Sequence, residues 1–405
     1  MKSRKNIIVI GGGAAGFFGA ITAAESFPNA KVVLYEKSRG VLAKVRVSGG
    51  GRCNVTNAAV SVAELLKGYP RGEKFLKPLF HRFSNQDTIR WFLSRGVDLK
   101  TEPDGRMFPK TDSSETIIHC LTTAARQAGV DVCSRLGVQQ ILPTDEHFQL
   151  ILSDQTTIQA DRVLITTGGH PQATGYEWLT QLGISVRPPV PSLFTFNIPD
   201  SFLKNLAGVA VQRATVRVAG TKLQQTGPVL VTHWGLSGPA ALKLSAWAAR
   251  ELAERAYQFT ILVNWINEKD PRTLLEGFKK EHAGKLLGTL APFGLPNRLW
   301  RAFLLETGLA ETLRWIDLSG KPFNRLTELL TNCPFEVRGK TTFKEEFVTC
   351  GGVTLSDIQG QTMESKKIPG LYFAGEILDI DGVTGGYNFQ AAWTTAWIAG
   401  KSIGL

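Results

Sequence analysis

The hydrophobic pattern at the N-terminus predicts a strand, a helix and a second strand within the first 36 residues. An apolar run at 6–10 ends in a glycine-rich turn at 11–16. Small and apolar residues continue at helical spacing over 17–27, and a second apolar run at 31–35 leads to Glu36. Two short apolar runs on either side of a helical segment are typical of a parallel βαβ unit.

Further along the chain, helical periodicity and short strands alternate, and turn residues separate them. The pattern predicts helices over 74–95 and 113–128, then strands over 131–133, 138–142 and 147–152 and a strand pair within 156–169. It next predicts a β-rich stretch over 193–230, a helix within 232–255 after Pro239, several short helices over 271–331, strands at 347–354 and 370–376, and a final helix over 387–399.

The pattern of predicted elements changes near three prolines, Pro188, Pro189 and Pro191, which forbid a helix there. The first and last thirds of the chain have similar patterns, with short strands that end in glycine turns, and the middle third differs from both. The economical explanation is one domain with another inserted into it. We therefore predict a discontinuous domain over 1–190 and 341–405, and an inserted substrate domain over 191–340.

The glycine turn carries the first chemical signal. Gly11 would make the tight turn off the strand, Gly13 would let the backbone approach a pyrophosphate, and Gly16 would allow close packing of helix on sheet. The helix N-terminus that follows would favour the phosphate charge. Glu36 lies where a carboxylate accepts hydrogen bonds from an adenosine ribose. Together these parts predict a dinucleotide-binding unit.

The amino-acid composition limits the class of protein. The 405 residues are 43% hydrophobic and 20% charged, as in ordinary globular proteins. No apolar run approaches the ~20 residues of a membrane span. Residues 1–24 resemble a secretory signal, but glycines interrupt the apolar run, so we favour a cytoplasmic protein. The five scattered cysteines form no CxxC motif, which indicates neither a disulfide framework nor a metal site.

The net charge of +11 leaves the type of partner open. Such a charge suits nucleic acid, an anionic membrane surface or an acidic substrate. The basic residues are dispersed along the chain, so a solvated basic surface is the favoured interpretation. Nucleic acid is thus a disfavoured partner that stays open, and the oligomeric state is not predicted.

Three later features favour FAD over NAD as the dinucleotide. A second glycine turn, Thr167–Gly169, follows a predicted strand. Gly375 and Glu376 end a late strand, where backbone N–H groups can meet the pyrophosphate or ribityl chain. The run 379–388 leads into a helix N-terminus that can support negative charge on a reduced flavin. No second GxGxxG unit is visible, so NAD(P)H would dock only transiently.

Three motifs carry a resemblance to a known family. They are SGGGRCNVTN at 48–57, THWGLSGPA at 232–240 and GLYFAGEILDIDGVTGGYN at 370–388. With these motifs the chain resembles, from end to end, the bacterial NAD(P)/FAD-dependent oxidoreductases that include aminoacetone oxidase and a bile-acid 4,6-reductase. The resemblance implies an α/β fold: a Rossmann-like, glutathione-reductase-like FAD domain interrupted by a β-barrel at about 191–260 and a small helical part at about 270–335.

The resemblance and the glycine turn together give the expected FAD contacts. They are Gly11, Gly13, Ala14, Ala15, Gly16, Glu36, Lys37, Lys44, Gly50, Gly51, Arg52, Cys53, Asn54, Val138, Thr167, Gly168, Gly375, Glu376, Asp381, Gly386, Tyr387 and Asn388. The chain departs from the family pattern at Leu42–Lys44, at Arg46 and in the short segment 170–175. These departures make a substrate assignment by family unsafe.

Few side chains need be catalytic, because a flavin supplies the hydride chemistry itself. His233 is a candidate proton donor or substrate contact, with a structural histidine as the alternative. Arg106 is a candidate for holding a carboxylate or phosphate, or else a surface arginine. Tyr387 is a candidate for stacking near the flavin. Cys53 and Cys350 are candidate redox thiols for which buried packing is the favoured role.

Three functions follow, in this order of preference. The first is an FAD-dependent oxidoreductase that transfers a hydride between flavin N5 and a small organic substrate, with NAD(P)H or oxygen as the other redox partner. The second is an RNA-binding or RNA-modifying flavoprotein, which the charge of +11 motivates. The third is a flavin redox sensor without turnover. The pattern does not distinguish an oxidase from a reductase.

Overall fold

A computed structural model describes residues 4–268, 270–341 and 348–405 of the chain. The chain divides into two compact units. The first, called here the FAD unit, contains residues 1–191 and 344–405, and the second, called the inserted unit, contains residues 192–343. No helix in these described ranges is both long and apolar enough to span a membrane.

The strands in chain order are β1 (Asn6–Ile10), β2 (Lys31–Glu36), β3 (Thr56–Asn57), β4 (Leu99–Thr101), β5 (Arg106–Pro109), β6 (Asp131–Ser134), β7 (Val138–Pro143), β8 (Phe148–Leu152), β9 (Thr157–Ala160), β10 (Arg162–Ile165), β11 (Val186–Ser192), β12 (Thr195–Asn197), β13 (Ala210–Val218), β14 (Gln224–Val231), β15 (Gly235–Ser237), β16 (Gln258–Asn264), β17 (Cys333–Arg338), β18 (Lys340–Thr341), β19 (Val348–Val353) and β20 (Leu371–Phe373).

The α-helices are α1 (Ala14–Ser26), α2 (Ala43–Gly51), α3 (Val62–Leu66), α4 (Glu73–Phe80), α5 (Asn85–Leu93), α6 (Ser114–Gln127), α7 (Glu177–Gln181), α8 (Pro239–Trp247), α9 (Ala249–Glu254), α10 (Pro271–Glu281), α11 (Asn297–Thr307), α12 (Gly320–Asn332) and α13 (Tyr387–Ser402). Short 3-10 helices occur at Ala173–Tyr176, Phe202–Leu206, Leu287–Thr289, Pro292–Gly294, Trp315–Asp317, Leu355–Asp357 and Gly375–Ile377.

The FAD unit is built on a five-stranded sheet of order β20-β10-β1-β2-β6, and every pairing within it is parallel. At the centre, Ile10 lies beside Tyr35 on one side and Ile165 on the other. Because parallel strands end at one edge of the sheet, the turns after β1, β2 and β10 meet at that edge. The ligand site of such α/β sheets lies there.

Two helices of small residues cover this sheet, α1 and α13. A Cβ atom on Gly19 of α1 would lie 3.5 Å from the carbonyl oxygen of Ala396, and one on Gly400 of α13 would lie 2.8 Å from that of Gly19. The two backbones therefore approach closely, and the central strands of the sheet are almost wholly buried. This packing fixes the N-terminus of each helix.

The FAD unit also contains three smaller sheets. Strands β3, β5 and β4 form an antiparallel sheet, β7, β8 and β9 form an antiparallel meander, and β11 pairs with β19. The meander supplies Val138 and Gln139 to the edge where the parallel strands end.

The inserted unit has its own hydrophobic core and a seven-stranded antiparallel sheet of order β17-β16-β13-β14-β15-β12-β18. β17 at one edge of this sheet contacts β12, which lies next to the other edge, so the sheet curls back toward itself as in a barrel. α8 packs on β13 and β14, and α10, α11 and α12 form the helical part.

Most predicted elements are present, with one clear correction. The helix predicted over 74–95 is two helices, because Ser84 caps a new helix: its side chain accepts from the Gln86 N–H, and the Asp87 side chain accepts from the Ser84 N–H. A second difference lies at 43–51, where the structure has a helical turn and the sequence pattern predicted no element.

Candidate functional site

The glycine turn after β1 has the geometry of a phosphate-binding turn. Gly11 has φ +109°, and a Cβ there would lie 2.6 Å from the carbonyl oxygen of Thr166. A Cβ on Gly16 would lie 1.9 Å from the carbonyl oxygen of Gly11, so α1 can pack this closely only with glycine. A Cβ on Gly13 would meet no atom within 4 Å. The space above Gly13 is therefore open at the N-terminus of α1, where an anion is favoured.

Glu36 is held at the end of β2 by backbone donors. Its Oε2 accepts from the Gly12 N–H at 2.8 Å and its Oε1 from the Ser38 N–H at 2.7 Å. It lines a cavity of about 240 Å³. The lining residues are Ile10, Gly11, Tyr35, Glu36, Lys37, Gly137, Val138, Gln139, Ile141, Thr167, Gly168, Gly169, His170, Gly175, Trp178 and Ile377. The cavity thus brings the first glycine turn, β2, β7 and the second glycine turn together.

The SGGGRCNVTN segment forms an irregular loop rather than a regular helix. After one helical turn the backbone leaves helical geometry at Ser48, and Gly49, Gly50, Gly51 and Cys53 follow with positive φ. With its amide oriented to suit both neighbours, Asn54 donates to the carbonyl oxygen of Thr56 and accepts from the Gly386 N–H at 2.9 Å. The loop is therefore joined to the start of α13.

The late motif at 370–388 meets the early motifs at two further points. Lys44 forms an ion pair with Glu376 at 2.6 Å. A Cβ on Gly375 would lie 2.7 Å from the Cβ of Ala15, so this turn lies directly against the N-terminal part of α1. Segments more than 300 residues apart in sequence therefore form one continuous surface.

Asp381 and Asn388 fix the loop before α13. Asp381 is fully buried, and its carboxylate accepts from the guanidinium of Arg71, with 2.5 Å between Arg71 Nε and Asp381 Oδ1. Asn388 accepts from the Gly382 N–H at 2.8 Å and donates to its carbonyl oxygen at 2.9 Å. Burial lowers the pKa of Arg71 and the Asp381 hydrogen bond raises it, with a net upward shift, so Arg71 stays charged.

A buried polar network on α13 was not predicted. The Gln390 Oε1 accepts from the hydroxyls of Thr56 at 2.6 Å and Thr88 at 3.0 Å, and its Nε2 donates to the Thr394 hydroxyl at 3.0 Å. All four side chains are completely buried. Residues such as Gln390 and Arg71 were missed because only their long-range partners, not their local pattern, mark them.

The three catalytic candidates lie in different surroundings. Tyr387 is half-buried at the start of α13 with its ring edge-on to Tyr69, and the Tyr69 hydroxyl donates to the Tyr387 carbonyl oxygen. Arg106 forms ion pairs with Glu102 at 2.9 Å and Asp104 at 2.7 Å, so two carboxylates already share its charge. His233 is an exposed residue between β14 and β15 of the inserted unit.

Cys53 should be unreactive, although it lies in the SGGGRCNVTN loop at 48–57. It is completely buried, and burial raises the pKa of its thiol to about 12. The thiolate fraction at pH 8 is therefore negligible, and only the thiolate reacts. We expect Cys53 to stay unmodified by iodoacetamide at pH 8 in the folded protein and to react fully after unfolding. Peptide mass spectrometry checks this, with half-buried Cys133 as the internal comparison. Rapid folded-state labelling of Cys53 would contradict it.

The residues present fit an ADP-containing dinucleotide. The open space above Gly13 lies at a helix N-terminus, and the cavity beside it is walled by Glu36, Val138 and Gly168. The cavity also holds apolar side chains for a base, Ile141 and Trp178. A glycine turn at a helix N-terminus, a carboxylate at the end of the second strand and an apolar wall together are typical of a Rossmann-type nucleotide site.

Comparison with known proteins agrees with this class of site. The protein is an FAD-dependent oxidoreductase with a Rossmann-type FAD-binding domain. Residues 5–402 match the family described as HI0933-like protein Rossmann domain, and the chain belongs to that family.

The chain is similar to two relatives with different named activities and, in its fold, to one solved structure. The chain is 30% identical to the ribosomal RNA dihydrouridine synthase of Escherichia coli (strain K12), covering 99% of this chain and 98% of that protein. It is 26% identical to the 3-dehydro-bile acid delta(4,6)-reductase of Clostridium scindens, covering 97% and 98%. The fold is similar to that of 3-ketosteroid delta1-dehydrogenase from Sterolibacterium denitrificans, with a TM-score of 0.53, 13% identity and 98% of both chains covered.

Proposed function

We propose that this flavoprotein reduces a carbon–carbon double bond of uridine in ribosomal RNA to give dihydrouridine. NADH or NADPH would be the electron donor, docking transiently against the FAD unit. In balance, uridine, NAD(P)H and one proton give dihydrouridine and NAD(P)⁺. The observation that carries the proposal is the 30% identity to a ribosomal RNA dihydrouridine synthase over 99% of this chain, the inserted unit included.

The charge distribution supports a polyanionic substrate. Residues 192–343 contain 19 lysines and arginines against 12 aspartates and glutamates. This excess of seven is the larger part of the chain's net charge of +11. A positive surface raises the local concentration of RNA and speeds its association.

The residues of the FAD unit would hold and tune the cofactor. Gly11, Gly13 and Gly16 would accommodate the pyrophosphate, and Glu36 the adenosine ribose. When bound, FAD supplies the two-electron chemistry, as an acceptor of hydride from one partner and a donor to the other. The N-terminus of α13, at Tyr387, would stabilise negative charge in the reduced state.

Dihydrouridine formation tests the proposal directly. Ribosomal RNA from an Escherichia coli strain lacking its dihydrouridine synthase would be incubated with the FAD-loaded protein and NADPH or NADH, then digested to nucleosides for mass spectrometry. We expect dihydrouridine to appear with the nucleotide and not without it. The protein without FAD is the control. Rapid bleaching of the flavin by NAD(P)H with no dihydrouridine formed would contradict an RNA substrate.

A second candidate is the reduction of a small unsaturated ketone. The 26% identity to a bile acid delta(4,6)-reductase favours it, because that name also describes the reduction of carbon–carbon double bonds. NADPH oxidation that depends on an added 3-oxo-4,6-diene steroid, with no dihydrouridine produced from RNA, would favour this candidate.

A further inference from the structure

Helix α4 of the FAD unit presents a basic face to solvent. Lys74, Lys77 and His81 are spaced three and four residues apart, so they lie on one side of the helix. All three are exposed. The opposite side is buried through Leu76 and Leu79. The helix is therefore firmly packed, and its outer face is positive.

This face differs from several other basic positions because ion pairs do not hold its two lysines within the described ranges. Arg95 is paired with Glu25 at 2.6 Å, and Lys110 with Asp98 at 3.3 Å. Within the described ranges, neither Lys74 nor Lys77 forms an ion pair. Glu73 is the single acid of α4. It lies at the first residue, where the helix dipole favours it, next to Lys74 and four residues before Lys77, so the face keeps a net positive charge of one from these three residues.

In the helical part of the inserted unit, by contrast, acids lie among the basic residues. Arg301 is paired with Glu311 at 3.4 Å, and Arg272 with Glu276 at 4.0 Å. A surface of mixed charge attracts a polyanion less than a continuous positive face does. Ion pairs therefore neutralise part of the positive charge on these helices.

The segment leading into α4 lies directly on the loop that precedes α13. The Val383 N–H donates to the carbonyl oxygen of Gly68 at 2.8 Å. A Cβ on Gly68 would lie 2.2 Å from the ring of Tyr387, and one on Gly72 would lie 2.7 Å from Ile380. The basic face thus begins at the segment that packs against residues 380–387.

We propose that Lys74, Lys77 and His81 on α4 bind the sugar-phosphate backbone of the RNA substrate beside the residues 380–387 of the FAD site. This proposal rests on the function proposed above. Lysine side chains contact phosphates as flexible point charges and carry no sequence preference. The face would therefore contribute affinity and position the strand, while other residues select the base.

The salt dependence of RNA binding tests this surface. FAD-loaded wild type and Lys74→Gln/Lys77→Gln would be compared by filter binding to ribosomal RNA from the deletion strain, over a series of KCl concentrations. Each lost phosphate contact lowers the slope of log K against log salt by about one. We expect the slope to fall by about two and the affinity near 0.15 M salt to fall roughly 20-fold. In turnover, KM for RNA should rise while kcat stays near the wild-type value.

A matched control has the same change of charge. Lys100→Gln/Lys110→Gln removes two lysines that are already paired, half-buried Lys100 with Asp112 and exposed Lys110 with Asp98. We expect its RNA affinity to stay within about threefold of wild type, because a paired lysine releases few counterions. FAD content and the rate of flavin reduction by NADPH should match in all three proteins.

The possible outcomes test the α4 surface and the proposed function separately. If the wild type forms dihydrouridine and the α4 variant keeps the wild-type KM and salt slope, α4 does not bind the RNA, and the proposed function is retained. If the wild type neither binds nor reduces RNA, both are wrong. Salt-sensitive binding of the wild type to phosphatidylglycerol vesicles instead of RNA would also overturn the proposal and identify a membrane-binding face.

Discussion

Gly13→Ala is expected to give a folded protein that binds FAD much more weakly. A Cβ at this position meets no protein atom within 4 Å, so the protein itself has room for the methyl group. That room lies at the N-terminus of α1, where the pyrophosphate would approach the backbone in the proposed FAD site. We expect the dissociation constant for FAD to rise on the order of 100-fold, which is about 2.7 kcal/mol. Titration of apoprotein with FAD, followed by flavin fluorescence, measures it.

Two glycines provide the comparison for this variant. Gly40→Ala also adds a methyl group where no atom lies within 4 Å, but in an exposed turn, and should bind FAD normally. Gly16→Ala places a Cβ 1.9 Å from the Gly11 carbonyl oxygen and should destabilise the apoprotein itself by about 3 kcal/mol or more. If Gly13→Ala binds FAD as tightly as Gly40→Ala does, the phosphate site lies elsewhere.

The sequence was sufficient to predict the first βαβ unit because the residues that determine each of its elements lie close together in the chain. The predicted strand at 6–10 is β1, the glycine turn precedes α1, and the second run is β2 ending at Glu36. The spacing of Gly11, Gly13 and Gly16 has a steric cause that operates within a few residues. Periodicity and turn chemistry also identified most later elements of both units.

What the sequence could not supply is the set of partners that fold together from distant segments. The pairing of Lys44 with Glu376 and the docking of Gly375 on Ala15 depend on how parallel strands are ordered in the sheet. Periodicity also concealed the break between α4 and α5, because apolar residues continue at helical spacing across it and only the cap at Ser84 marks it.

The surface charge shows the same limit. Along the chain the basic residues are dispersed, and this dispersion favoured a solvated basic surface. In the fold, Lys74 and Lys77 share one exposed face, whereas lysines at other positions, such as Lys110, lie beside acids. Helical spacing brings the two lysines together already in the sequence, but only the fold shows which lysines are held in ion pairs.

Arg71→Met is expected to destabilise the protein strongly. Asp381 is fully buried, and Arg71 is only 17% exposed, so the variant leaves a carboxylate in the interior without its cationic partner. Removing one member of a buried ion pair destabilises a protein by about 3–5 kcal/mol. We expect a loss of about 3 kcal/mol in the free energy of unfolding of the apoprotein, measured by urea denaturation. FAD affinity should fall as well, because this pair fixes the loop before α13.

Two further variants distinguish a buried charge from lost packing. Arg71→Met/Asp381→Asn removes both charges and should recover most of the stability, because no buried charge remains. Arg95→Met breaks the more exposed pair with Glu25, at 2.6 Å, and should change stability by at most about 1 kcal/mol. If the double variant is no more stable than Arg71→Met, the effect comes from the shape of the arginine side chain. The anchoring of residues 380–387 would then depend on packing between α4 and the loop before α13, and not on the charge of Asp381.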